Sequence, residues 1–152
     1  MMKMQVSNLE DHVGYWLRYV SNQVSHAFSR KVQGCGVTVA EWVMLRVLYE
    51  EQSLGPSTLA EKLGMTSGAI SKLADRLVAK KLVTRTAGKE DRRTQELAIT
   101  EPGRGLVPQL SALADRNDAE FFAHLPAADR DAIMRIMRDT VRRLGLHTPP
   151  VD

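Results

Sequence analysis

The sequence predicts a mainly α-helical fold with one small β-hairpin and long helices at both ends of the chain. Three observations carry that prediction. Apolar residues recur at steps of three and four along several segments, the spacing of a helix face. The breaks between segments fall on Gly, Pro and Thr residues that suit helix ends. One stretch near the middle instead reads as two short strands, the second alternating apolar with polar residues, on either side of a polar, glycine-containing turn, as a hairpin does. The 152 residues are most simply one domain. Their 43% hydrophobic and 26% charged content is ordinary for a globular chain, and only 5% is aromatic.

The first helix is expected over residues 8–32. Leu9, Val13, Trp16, Leu17, Val20, Val24, Ala27, Phe28 and Val32 line one face of it. That stripe is longer than a small helical lobe needs for itself, so part of it is expected to pack on a partner. Gly34-Cys35-Gly36 breaks the helix. Thr38 with Glu41 three residues on makes a capping box for a second helix reaching about residue 51. Trp42, Val43, Leu45, Val47 and Leu48 surround that helix, which is expected to be buried.

Gly55-Pro56 opens a short third helix with Leu59, Ala60 and Leu63 inward, and Gly64 ends it. Thr66 can cap a fourth helix over roughly residues 67–81, whose core stripe is Ile70, Leu73, Ala74 and Leu77. Its other faces carry Ser67, Gly68, Ser71, Lys72, Asp75, Arg76 and Lys80. Residues 82–86 and 94–100 read as strands. A fifth helix begins after Thr100 with Pro102 in its first turn, and Pro108 is expected to kink it or delay its start. Leu106, Leu110, Leu113, Phe121 and Leu125 follow at helical spacing. A sixth helix follows Pro126 and carries Ile133, Ile136, Met137, Val141 and Leu144. The tail TPPVD is expected to be loose.

Charge is distributed unevenly along this plan. Lys72, Arg76, Lys80, Lys81, Arg85, Lys89, Arg92 and Arg93 place eight positive charges between residues 72 and 93, against Asp75, Glu90 and Asp91. That window nets +5 while the whole chain is +3, so the remainder nets −2. A concentration of this kind is the electrostatic footprint of a face that binds nucleic acid. The order of elements agrees. The short third helix and the fourth form a helix-turn-helix, and the basic hairpin stands where a wing would. The fourth helix would then lie in the major groove, with its N-terminal residues against base edges. Small residues at its start, Ser67, Gly68, Ala69 and Ser71, let backbone approach DNA, and Gly68 gives up about 1 kcal/mol of helix propensity to do so. Arg93 at the hairpin tip can reach a narrow minor groove, with Asp91 holding it.

These residues closely resemble the multiple-antibiotic-resistance-regulator (MarR) family of winged helix-turn-helix proteins. The matching segments are Leu59-Ala60, Ala69-Ile70-Ser71-Lys72-Leu73, Asp75-Arg76-Leu77, Lys81-Leu82-Val83, Asp91-Arg92-Arg93, and Ile99-Thr100 with Gly103. The resemblance covers nearly the whole chain. It implies a winged-helix DNA-binding lobe over residues 38–100, with dimerisation helices over 8–33 and 101–145. It implies a cytoplasmic homodimeric transcription regulator, most simply a repressor, bound to a pseudo-palindromic double-stranded operator. Carried over, Ser67, Gly68, Ala69, Ser71, Lys72 and Arg76 face the groove or its phosphates. Arg85, Lys89 and Arg92 add backbone contacts, and Asp91 with Arg93 forms the wing pair. A small-molecule effector, such as an aromatic acid, would enter between the first helix, the fifth helix and the lobe. The aromatic-basic cluster Tyr15, Trp16, Arg18 and Tyr19 is the candidate lining, although packing is the plainer reading of residues at helical spacing.

Other chemistries find little support. Cys35 is the single cysteine, which excludes an intrachain disulfide and a Cys-rich metal site and fits a reducing compartment. It lies in the loop after the first helix, not early in that helix where peroxide-sensing relatives carry theirs, so a redox-responsive regulator is the lesser alternative. His12, His26, His124 and His147 are scattered without metal-ligand spacing, and no metal or cofactor is expected. No nucleophile–base constellation or phosphate-cradling loop points to an enzyme. The N-terminus reads as neither signal peptide nor membrane span. A winged helix that binds protein instead of DNA would want an apolar fourth-helix face and an uncharged wing, which this sequence lacks.

Overall fold

A computed structural model describes residue 2 and residues 4–146. His147 and the tail that follows it lie outside the described residues. A 3-10 turn, Leu9–Asp11, leads into α1 (Val13–Gln33). Then come α2 (Val39–Tyr49), α3 (Pro56–Leu63), α4 (Ser67–Ala79), β1 (Val83–Ala87), β2 (Gln95–Ile99), α5 (Glu101–Phe122) and α6 (Ala127–Arg143). The fold is mainly helical with a two-stranded antiparallel wing, pairing Val83 with Ile99 and Ala87 with Gln95 at its ends. Leu54 extends the sheet by one bridge, exchanging backbone bonds with Leu97 at 2.9 and 2.7 Å.

Local chemistry sets the helix ends. The Thr38 capping box forms: the Glu41 N–H donates to Thr38 Oγ1 and the Thr38 N–H to Glu41 Oε1, both at 3.1 Å. The Ala69 N–H donates to Thr66 Oγ1 at 3.2 Å and starts α4. Gly64, at φ +63°, terminates α3 in the left-handed conformation that glycine adopts without penalty. At the start of α5, the Gly103 N–H donates to Thr100 Oγ1 at 3.2 Å, and the Thr100 hydroxyl donates to the Lys81 carbonyl at 2.8 Å. A Cβ on Gly103 would stand 2.3 Å from the Leu82 carbonyl oxygen, so only glycine lets α5 pack this closely on the wing. α5 begins at Glu101 and runs through Pro108 as one helix, so the delayed start expected at that proline does not occur.

The core joins α2, α3, α4, the wing base and the first half of α5. Met44, Leu45, Leu48, Leu59, Ile70, Leu77 and Leu110 are wholly buried in it. α2 is not buried all round as the sequence suggested: Val43 is exposed and Trp42 and Val47 are half-buried, because α5 and α3 cover only part of its circumference. α1 packs along α5 and buries Val32 at its end, while Leu9, Val13, Trp16, Leu17 and Val20 are exposed. α6 buries none of its residues. No helix among the described residues is long and apolar enough to cross a membrane.

Candidate nucleic-acid interface

The stripe Ile70, Leu73, Ala74 and Leu77 turns one face of α4 into the core, which leaves Ser67, Gly68, Ser71, Lys72 and Arg76 exposed and Ala69 half-buried. Nothing lies within 4 Å of a Cβ built on Gly68, so the fold itself does not require glycine there. Lys72 and Arg76 have no side-chain hydrogen-bond or ion-pair partner among the described residues, so both cations are available to an anion.

The wing tip is built by short-range bonds. Asp91 Oδ1 accepts the Arg93 backbone N–H at 3.0 Å and the Arg93 Nε–H at 3.2 Å. The Asp91 carbonyl accepts from the Thr94 hydroxyl at 2.7 Å. Gly88 closes the tip by donating to the Thr94 carbonyl, where a Cβ would stand 2.2 Å from Thr94 Oγ1. The expected Asp91–Arg93 pair is therefore present. Arg93 is held at its base, and its side chain is 92% exposed. Arg92 beside it is exposed too.

Three basic residues expected in the same free cluster are committed elsewhere. Arg85 on β1 forms an ion pair with Asp75 on α4. Lys89 Nζ donates to Gln52 Oε1 in the loop after α2. Lys80, which the helical spacing placed on a solvated face, turns inward to Glu41: its ammonium donates to Oε2 at 2.7 Å, to Oε1 at 2.9 Å and to the Gly36 carbonyl at 2.8 Å. The Glu41 side chain is 0% exposed. Burial alone would push that carboxyl up, but bonds from Lys80 and Thr38 and the Lys80 charge hold it below its ordinary value.

The aromatic cluster of α1 lies largely open to solvent. Tyr15 and Trp16 meet edge to face with centroids 5.2 Å apart, and the Trp16 Nε1–H donates to the Glu10 carbonyl at 2.9 Å. Trp16, Arg18 and Tyr19 are exposed. The polar group between α1 and α5 is instead Asn117, which the sequence reading passed over. Buried at 3% exposure, it accepts from Lys31 Nζ at 3.0 Å through Oδ1 and donates to the Val24 carbonyl at 3.1 Å. Lys31 also bridges to Glu120 at 2.7 Å. A lone Asn inside an apolar stripe was the available signal.

A helix-turn-helix with an exposed basic second helix, a charged hairpin beside it and helical arms at both ends defines a winged helix-turn-helix transcriptional regulator. The model of the MarR family matches residues 37–94, and over that stretch the chain is similar to that family. A protein named for transcriptional regulation of the hcr operon in Thauera aromatica is 26% identical over 137 residues, which are 90% of this chain and 82% of that one. The solved structure of CouR from Rhodococcus jostii RHA1 bound to p-coumaroyl-CoA is 27% identical, with a TM-score of 0.78 over 96% of this chain and 100% of that one. A MarR-family transcriptional regulator from Rhodococcus sp. RHA1 is 26% identical, with a TM-score of 0.77 over 94% and 100% of the two chains.

Proposed function

We propose that the protein is a homodimeric repressor that binds a pseudo-palindromic operator and leaves it when a small effector binds. One observation carries the DNA reading. The outer face of α4 offers two unpartnered cations, Lys72 and Arg76, among small residues, and the adjoining wing presents an exposed guanidinium anchored by Asp91. In this reading Ser67, Gly68, Ala69 and Ser71 approach base edges, while Lys72, Arg76 and Arg92 meet phosphates. Arg93 enters the minor groove. Arg85 and Lys89 act mainly by fixing the wing against α4 and the Gln52 loop. The lobe is residues 38–100. Residues 8–33 and 101–145 form the dimer arms, supported by the exposed Ile136, Met137 and Val141 of α6 and Leu17 and Val20 of α1. With two lobes per dimer, both recognition helices dock only when their separation matches half-sites about one helical turn apart. An effector that favours a mis-spaced dimer lowers affinity by shifting that population. The p-coumaroyl-CoA carried by CouR supports an aromatic acid or its thioester as the class to try first.

The test begins with selection of an operator from random duplex DNA. Arg93→Ala is expected to lose about 1–3 kcal/mol of binding, as for one lost groove contact, with its melting temperature unchanged. The log–log salt slope of the wild type is expected at roughly −4 or steeper, because two lobes engage several phosphates. Wild-type affinity in Arg93→Ala would sink the wing assignment, and a flat salt profile would sink the DNA reading. Aromatic acids and their thioesters are then screened by thermal shift, where an effector at 100 Kd stabilises by about 2.7 kcal/mol.

A further inference from the structure

We propose that Lys80 is a positioning residue for DNA recognition: its ammonium ties the end of the recognition helix to the end of the dimer arm and thereby fixes the spacing between the two lobes. The inference rests on the dimeric DNA-binding reading above.

Three elements meet at this one nitrogen. Lys80 is the C-cap of α4. Glu41 lies in the first turn of α2. Gly36 belongs to the turn that ends α1, and that turn is fastened by three backbone hydrogen bonds. The Cys35 N–H donates to the Val32 carbonyl at 2.9 Å, the Gly36 N–H to the Gln33 carbonyl at 3.0 Å and the Val37 N–H to the Val32 carbonyl at 3.3 Å. Val32 and Val37 on either side of the turn are buried. The Gly36 carbonyl therefore moves with α1, and Lys80 donates to it at 2.8 Å. α1 and α4 share little direct packing, so this bond is a principal link between arm and recognition helix.

The chemistry suits positioning better than stabilisation. The Glu41 carboxylate is buried while the Lys80 side chain stays 39% exposed, so the pair contributes little net stability: desolvation of the carboxylate offsets much of an attraction that solvent already weakens. What it supplies is direction. Lys80 is the only cation reaching Glu41 among the described residues, and the carboxylate is itself oriented by the Thr38 N–H. An apolar contact tolerates sliding, whereas an ammonium held by three fixed oxygens does not. A small rotation of α4 about this junction is magnified at the far end of each lobe, where the half-sites are read.

The experiment measures affinity for a selected operator and for versions whose half-site spacing is lengthened or shortened by a few base pairs. It compares wild type, Lys80→Met and Glu41→Gln, with Leu110→Ala as a control that loosens the core without removing any partner of the Lys80 ammonium. Wild type is expected to prefer one spacing sharply. Lys80→Met is expected to lose about tenfold at that spacing and little at the others, a coupling typical of a broken network, so its preference flattens. Glu41→Gln flattens it less and carries the same readout should Lys80→Met fail to fold. Leu110→Ala lowers the melting temperature without changing the spacing ratio. Equal losses at every spacing in the Lys80 and Glu41 variants would overturn the inference and leave a purely structural role. A wild type that binds no duplex DNA would instead remove the underlying reading, and this inference with it.

Discussion

Within residues 37–99, α3 and α4 turn their apolar stripes into one core, and Leu59, Ile70, Leu73 and Leu77 are almost wholly out of water. α6 has apolar residues at the same helical spacing, yet Ile133, Met134, Ile136, Met137 and Val141 all remain exposed. The first half of α1 behaves like α6, while its second half is half-buried at Val24, Ala27 and Phe28 and fully buried only at Val32. Periodicity reports which face of a helix is apolar; it is silent on what covers that face. The lobe is a finished core, while the arms leave much of their apolar surface uncovered. Monomeric chains rarely leave a contiguous apolar surface of this kind without a partner.

The sharpest way to break the contrast is to charge the arm. Ile136→Asp with Met137→Asp is expected to weaken dimerisation by about 4 kcal/mol, taking roughly 2 kcal/mol for each centrally buried apolar side chain. Sedimentation should then find a folded 17.0 kDa monomer, and operator affinity should fall with the dimer. A dimer that persists at micromolar concentration would mean that α6 faces solvent in the working protein.

Leu73→Ala probes the other region. Leu73 is 1% exposed in the heart of the lobe, so its truncation should cost about 2–5 kcal/mol at any protein concentration. The cost of the α6 variant should instead depend on concentration, because it acts through assembly. Chemical denaturation of both variants across a hundredfold range of protein separates the two behaviours. A concentration-dependent loss in Leu73→Ala would show that the lobe core is itself shared between subunits.

Lys81→Gly should move the molecule the other way. Lys81 has φ +63° and is the one non-glycine residue with positive φ among the described residues. Its Cβ strains that conformation by about 1–2 kcal/mol, partly offset by the greater entropy of an unfolded glycine. The net gain should be about 0.5–1 kcal/mol, read as a higher melting temperature. A loss would mean that the exposed lysine stem contributes packing.

What could be read from the sequence divides by range. The caps at Thr38 and Thr66 and the Asp91–Arg93 pair join residues two or three positions apart, so spacing alone revealed them. Both wing strands were placed within about a residue of where they lie. The partners of Arg85, Lys89 and Lys80 lie 10, 37 and 39 residues away along the chain, and no local pattern distinguishes a lysine bound for Glu41 from one bound for water. The partners of Asn117 were hidden for the same reason, since they are on α1. In the candidate interface, side chains with no intramolecular partner stayed where periodicity put them. Those that knit elements together did not.

Cys35 stands where the two regions join, and the smallest effect is expected there. The thiol is half-buried and packs on the core, and it is the sole cysteine in the chain. No second thiol in the same subunit can resolve a sulfenic acid. The fold does bring one cation near that the sequence did not anticipate, since Lys80 bonds the carbonyl of the next residue, Gly36. That ammonium is already held by three oxygens, two of them on an anionic carboxylate, which leaves it little capacity to activate a thiolate. Cys35→Ser should therefore bind the operator as wild type does, with and without hydrogen peroxide. Release of the wild type by peroxide, with the serine variant spared, would make the junction between arm and lobe a redox switch. The ligand-controlled spacing argued above would then give way to oxidation as the signal that sets the lobes apart.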